Sequence, residues 1–326
     1  MIHRLLLAVT AVLAFAASTC AVAQALYPTK PLRLVVPFPP GGPTDVFARQ
    51  YAARLGTVLG QTAVVDNKSG ASGAIGSVEV MRSAPDGYTL LFGTASTHAL
   101  YNLMSTKPQY DSIKDFASIA IVGGAPVVLV VHPSMPATMR GVVDKARGNP
   151  GKLRYGSPGD GTMLHLAVER MKREAGGIDI QHIPYRGAAQ SKTDLLGGQI
   201  EIMVDTLGPA LPTHISGQTR IVAIAAATRS SLAPTVPTVD EALGTKGFEA
   251  VLWNVVAAPA GTPAPVQNVL AEATRKVMAD PSFQAELAKM AIEPAVDSNP
   301  AAAVAYIRAE MQKWKPVIDA TGIKSE

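Results

Sequence analysis

The chain has 326 residues, 48% of them hydrophobic and 17% charged, with a formal net charge of +4 at neutral pH. Its Lys and Arg residues are scattered and its aromatics amount to 5%, which excludes the basic footprint and the stacking platform of a nucleic-acid binder. One cysteine excludes a disulfide-stapled fold, and roughly 300 residues held by apolar burial alone argue for two domains.

Residues 1–25 carry His3 and Arg4, an apolar run Leu5 to Ala17, and small-residue sites at Ala21, Val22, Ala23 and at Ala23, Gln24, Ala25. This pattern predicts a cleaved secretory signal and an exported mature chain. Cys20 lies within it. A lipoprotein cleavage site competes there with an ordinary signal-region residue, and the bulky Thr19 and the Ala-x-Ala sites favour the latter. No later segment is a long uninterrupted apolar run of the kind that spans a bilayer.

Short β-branched runs then alternate with helical patterns. Strands are predicted at Leu32 to Val36, Ala63 to Asp66, Thr89 to Phe92, Val127 to Val131, Leu153 to Tyr155, Ile180 to Ile183, Ile200 to Val204, Ile221 to Ala226 and Val251 to Ala257. Phe47, Ala48, Tyr51, Ala52 and Leu55 follow helical spacing, as do Leu164, Ala167, Val168 and Met171. The alternation predicts an α/β fold with mainly parallel sheets. Within Ile119 to Val131, two strand-like pieces flank Gly123 to Pro126. Domain crossings are placed near residues 126 and 251, so that domain 1 is 26–126 with 251–326 and domain 2 is 127–250. The C-terminal helices are expected on domain 1.

Two strand-to-helix turns carry the functional reading. The first is Phe38, Pro39, Pro40, Gly41, Gly42, Pro43, Thr44, with Asp45 opening the helix; the second is Tyr155, Gly156, Ser157, Pro158, Gly159, Asp160, Gly161, Thr162, with His165 one turn on. Each offers unpaired backbone N–H groups and the positive end of a helix dipole, which suits an anion. Each also reads as a plain tight connection. Asp45 is read as a cap that orients the turn, since its charge competes with a bound anion, and His165 as a structural histidine before a ligand donor. Ser72, Thr94 and Ser96 sit on polar loops after strands, at the edge where open α/β sheets bind ligands. Tyr185 and Arg186 follow a strand and Asp205 ends one; Arg186 pairs either with a ligand carboxylate or with Asp205, and Asp205 either with Arg186 or with a ligand amine or hydroxyl.

Catalytic signatures are missing: there is no Gly-x-Ser-x-Gly elbow, no phosphate-binding loop and no His or Cys cluster at metal-ligand spacing. The balance moves to binding, with no catalytic residue, cofactor or metal expected.

Pro37 to Gly42 with Asp45, the stretch Ala84, Pro85, Asp86, Gly87, Tyr88, Thr89, Leu90, Leu91, the turn Tyr155 to Gly159 with Gly161, Thr162, His165 and Leu166, then Pro184, Tyr185, Gly187, Asp194 to Gln199, and Val236, Pro237, Thr238 with Glu241 and Ala242 together resemble the Bug (Bordetella uptake gene) or TctC-type extracytoplasmic solute receptors of tripartite tricarboxylate transporters. The resemblance runs nearly the length of the mature chain. It implies a monomeric periplasmic binding protein, two α/β domains closing on a small carboxylate, and delivery to transporter membrane subunits. It further implies that amides around Pro40 to Thr44 hold the carboxylate while the second-domain turn closes over the other end. Lys68, Ser69, Gln190, Ser191, Asn254 and Val255 depart from the family pattern, which bears on loop shape and on the ligand. A ligand-sensing partner of a membrane histidine kinase, or an enzyme on the same scaffold, are the alternatives.

Overall fold

The structure is a computed structural model and describes residues 27–324. The signal-peptide reading of residues 1–25 lies outside the described residues. No helix among the described residues is long and apolar enough to cross a membrane.

Strand β1 (Leu32–Val36) is the centre of a parallel trio, paired with β2 (Ala63–Asn67) on one side and β3 (Thr89–Thr94) on the other. Its LRLVV sequence is apolar almost throughout because helices cover both faces. Helix α1 (Pro43–Leu59) starts with Pro at its first position and ends at Gly60 in the left-handed region; Phe47, Ala48, Tyr51, Ala52 and Leu55 are its buried stripe. Helix α2 (Ala74–Met81) covers the other face, and β3 leads through a π-helical turn at Ser96–Leu100 into α3 (Tyr101–Met104).

The expected break in the next strand is absent. β4 (Phe116–Val131) is one strand of 16 residues. The Gly123–Pro126 stretch bends it without ending it: Gly123 adopts φ +137°, and the register shifts between Ser118 and Ala120 and between Ile121 and Gly123. Phe116 to Pro126 pair with β9 (Val251–Pro259), whereas Val127 to Val131 pair with β7 (Ile202–Thr206) and Val128 to Val131 with β8 (Arg220–Ile224). β4 is therefore the rail from which both halves of the sheet hang. β5 (Arg154–Ser157) is parallel to β7 and to β6 (Gln181–Pro184), and the short β10 (Glu293–Pro294) pairs with β4.

The sheet is mixed where mainly parallel pairing was expected: among the described residues, every antiparallel pairing involves β4 or β9, the two long strands that run between the halves. Around the second half lie α4 (Met139–Gly148), α5 (Met163–Glu174), α6 (Ala188–Leu196), α7 (Leu207–Ile215) and α8 (Val239–Leu243).

Of the C-terminal helices, α9 (Ala264–Ala279) and α10 (Pro281–Lys289) bury Leu270, Ala273, Val277, Phe283 and Leu287 against the α1 stripe. The last helix, α11 (Pro300–Thr321), differs. Its Ala303, Ile307, Trp314 and Ile318 join the cluster that holds Leu164 and Val168 of α5, so it belongs to both halves. Buried Glu310 accepts hydrogen bonds from the indole N–H of Trp253 at 3.1 Å and of Trp314 at 3.3 Å, tying this helix to β9.

Candidate functional site

The first turn is held open by Asp45. Its carboxylate accepts the Gly41 N–H at 2.9 Å, Arg49 Nε at 3.1 Å and Asn67 Nδ2 at 2.9 Å. Burial alone pushes this acid up, but Arg49, the Gly41 amide and Asn67 outweigh it and hold its pKa below the usual value. Asp45 is 3% exposed and lies outside the cavity wall. Gly41 takes φ +80°, so the chain can double back with its N–H on Asp45. The N–H groups left without an acceptor among the described residues are those of Gly42, Thr44 and Asp45, because the first amides of a helix have no partner within it.

The second turn is less free than its sequence implies. Thr162 caps α5 by accepting the His165 N–H at 3.3 Å, the Gly161 N–H goes to His165 Nδ1 at 3.0 Å, and the Gly159 N–H goes to Ser157 Oγ at 3.2 Å. The Met163 N–H is taken by Ser96 Oγ, from the other half, at 3.0 Å. Of the opening amides of α5, that of Leu164 remains. Ser72 Oγ likewise donates to the Asp160 carbonyl, so two serines of the first half are bonded to the second turn.

A third helix start, which the sequence reading passed over, faces the first. Gly187 precedes α6 with no side-chain cap, and Gly187, Ala188, Ala189 and Gln190 line the same cavity as Pro40, Gly42, Pro43 and Thr44. The signal was present: Pro184, Tyr185, Arg186, Gly187 is also a strand running into a turn and a helix. Gly187 lies close against the Pro39 ring, where a Cβ would approach Pro39 Cγ to 3.3 Å.

The cavity between these helix starts holds about 250 Å³. Phe38, Pro39, Leu164 and Leu252 make its walls apolar, and Ser96, Thr162 and the exposed Arg186 add polar groups. Arg186 forms no ion pair among the described residues. Its neighbour at the cleft mouth, about 560 Å³, is lined by Ser72, Gly159, Tyr185 and again Arg186.

Other expected residues do not reach the wall of the smaller cavity. Asp205 is 2% exposed and turns its carboxylate to the Thr206 N–H at 2.8 Å, so it pairs neither with Arg186 nor with the cavity; burial raises its pKa to about 6. Thr94 is buried, its hydroxyl accepting the Ser96 N–H. Tyr185 donates its hydroxyl to Asp194 at 2.7 Å. His165 is buried against His182, with ring centroids 3.9 Å apart and planes at 10°, and burial lowers its pKa to about 3.

Ser157 is fully buried and stands 2.6 Å from His182 Nε2, while His182 Nδ1 lies 3.2 Å from Asp160. The fold thus gathers Asp160, His165 and His182 within 4.8 Å, a cluster that their spacing in the chain did not reveal. Because the two imidazoles stack, their in-plane lone pairs run side by side and do not converge on one ion.

Residues 47–323 match the sequence profile described as the tripartite tricarboxylate transporter family receptor. Protein BugT of Bordetella pertussis is 34% identical over 325 residues, covering 98% of each chain. Among solved structures, the periplasmic binding protein BugD superposes with a TM-score of 0.87 at 32% identity, over 92% of this chain and 100% of that one. A protein of R. palustris solved with adipate gives 0.87 at 33% identity, over 91% and 99%.

Proposed function

This chain belongs to the tripartite tricarboxylate transporter receptor family, and from that premise we propose that it captures a small organic carboxylate in the cavity between α1 and α6. The observation that carries the reading is the meeting of two uncapped helix starts across one small apolar cavity, with Arg186 at its edge. Backbone N–H groups and helix dipoles supply a fixed positive potential, and apolar walls strengthen it by excluding water.

The carboxylate sits on the Gly42 and Thr44 amides and is met by the Ala188 and Ala189 amides as the halves close. Ligand favours the closed form in proportion to its greater affinity for it. The adipate in the R. palustris relative supports the ligand class. The working units are 26–126 with 251–326, and 127–250. The protein acts as a monomer in the periplasm, without catalysis, and hands its ligand to the membrane subunits of a tripartite transporter.

A thermal-shift screen of the mature protein against mono-, di- and tricarboxylates, amino acids and aromatic acids, followed by calorimetric titration, tests this. A saturable shift confined to acids is expected. A folded, ligand-free protein that none of these acids stabilises would overturn the reading.

A further inference from the structure

Strand β9 serves two surfaces. Leu252 belongs to the wall of the carboxylate cavity, and by the alternation of a strand its neighbours Val251 and Trp253 point the other way. On that rear face the crossing of β4 and β9, together with β10 and the start of α11, encloses a groove of about 510 Å³. Its wall joins an aromatic surface to two carboxylates. Tyr306, 39% exposed, stands edge-on to Trp253, with ring centroids 5.4 Å apart and planes at 85°. Glu293 and Asp297, both exposed, form no ion pair among the described residues, and neither Lys nor Arg lines the groove. In a chain of net charge +4 this is a local inversion of sign. Burial, and then the carboxylates of Glu310, Glu249 and Glu293, push the Tyr306 hydroxyl up. The opposing charges are Lys313, whose ammonium is spent on Glu310 at 3.2 Å, and Arg308, which follows Tyr306 by two residues and so lies on another face of α11. The Ala302 N–H, at the start of α11, is taken by Asn299 Oδ1 at 3.0 Å.

We propose that this groove is a docking site for an arginine side chain presented by a different protein. A guanidinium stacks flat on an exposed ring and pairs through its edge with carboxylates, and Tyr306 with Glu293 and Asp297 on the same wall offers both. A free small cation is ordinarily enclosed on most sides by its pocket. Here the ring and both acids are exposed, which suits one anchor within a larger interface. Because Leu252 and Trp253 face opposite ways, the partner engages a surface separate from the carboxylate cavity.

Calorimetric titration of the full mature protein with an N-acetylated, C-amidated Gly-Ala-Arg-Ala-Gly peptide, and with its citrulline counterpart, which keeps the shape and loses the charge, tests this. The arginine peptide is expected to bind one-to-one and about tenfold more tightly than the citrulline peptide. The double variant Glu293→Gln, Asp297→Asn should lower the arginine affinity about tenfold, to the citrulline level. Both acids are exposed, so this variant keeps the fold. Tyr306→Leu should weaken both peptides, the arginine peptide more. An arginine peptide that does not bind, that binds no better than the citrulline peptide, or whose affinity the double variant leaves untouched overturns the site. Ethylguanidinium binding as tightly as the peptide assigns the groove to a free cation and overturns the protein partner. A concentration-dependent dimer of the parent, seen by sedimentation and abolished in the double variant, gives the groove to a second copy of this chain and overturns the proposal as well.

Discussion

Ser96 Oγ accepts the N–H of Met163, the first residue of α5, at 3.0 Å, although the two residues lie on opposite halves of the molecule. A hydroxyl from one half thereby occupies an amide that the other half would otherwise leave unpaired. On the proposed closing of the two halves around a ligand, this bond would form only in the closed state and favour it, in addition to any contact Ser96 makes from the cavity wall. Ser96→Ala should weaken binding by about two- to tenfold, the equivalent of one net hydrogen bond. Its unliganded form should have the larger radius of gyration by small-angle scattering. Identical radii and affinities for parent and variant would remove the latch.

The adjacent glycines of the first turn differ in kind. Gly42 has φ −77°, and a Cβ there would meet only the Pro39 carbonyl at 3.6 Å, so Gly42→Val is compatible with the backbone while placing a side chain at the cavity wall. Gly41 has open space around it but takes φ +80°, a conformation that costs a branched residue on the order of 1–3 kcal/mol. Gly42→Val is therefore expected to lose carboxylate binding with little change in thermal midpoint. Gly41→Val should lose stability first. Both follow from one calorimetric and one melting series, and unchanged affinity in folded Gly42→Val would sink the claim that this turn receives the carboxylate.

Much of the first turn was legible because glycine, proline and a following amphipathic stripe carry their structural meaning locally. The second turn looked equivalent in sequence and is not. Its hydroxyls and imidazole are near in the chain, so they spend themselves on its own amides, and Ser96 takes another from 67 residues away. The α6 start escaped notice since Ala188 and Ala189 have no polar side chain: what they bring to the cavity wall is backbone. The unity of β4 was equally hidden. Gly123 and Pro126 read as punctuation, but a bulge absorbs the former, and the N–H that Pro126 lacks does not stop it from pairing with Val251 on β9. Which face α11 covers depended on Trp253 meeting Glu310, a contact between elements 57 residues apart.

Asp205 supplies a pH test. Burial raises its pKa from 3.8 to about 6, against the Thr206 amide and Lys192, which lower it. The folded state thus holds this proton more tightly than the unfolded chain. The associated stability is complete below pH 4, is lost as the pH rises to about 6, and stays constant above that. The loss is on the order of 2–3 kcal/mol. Asp205→Asn keeps an acceptor for the Thr206 N–H but cannot ionise. The parent-minus-variant difference in unfolding free energy, measured by urea titration from pH 4 to 7, should decline over this window. A constant difference would show that Asp205 stays solvated enough to titrate normally.

Ser157, His182 and Asp160 have the connectivity of a hydrolytic triad, with serine to imidazole at 2.6 Å and imidazole to carboxylate at 3.2 Å. Burial lowers the His182 pKa, with Asp160 opposing, so the ring is held neutral, as a general base requires. Two features argue against turnover. Ser157 Oγ is fully buried and engages the Gly159 amide and carbonyl, whereas the Asp160 side chain, which in a triad orients the ring from within, is 70% exposed. The relay instead fixes the second turn against β6. Ser157→Ala should lower the thermal midpoint and weaken carboxylate binding through a looser turn, with both effects shared by His182→Ala. Hydrolysis of p-nitrophenyl acetate should run at the same background rate in the parent and in both variants. A parent-specific burst that both substitutions abolish would instead make this a catalytic serine.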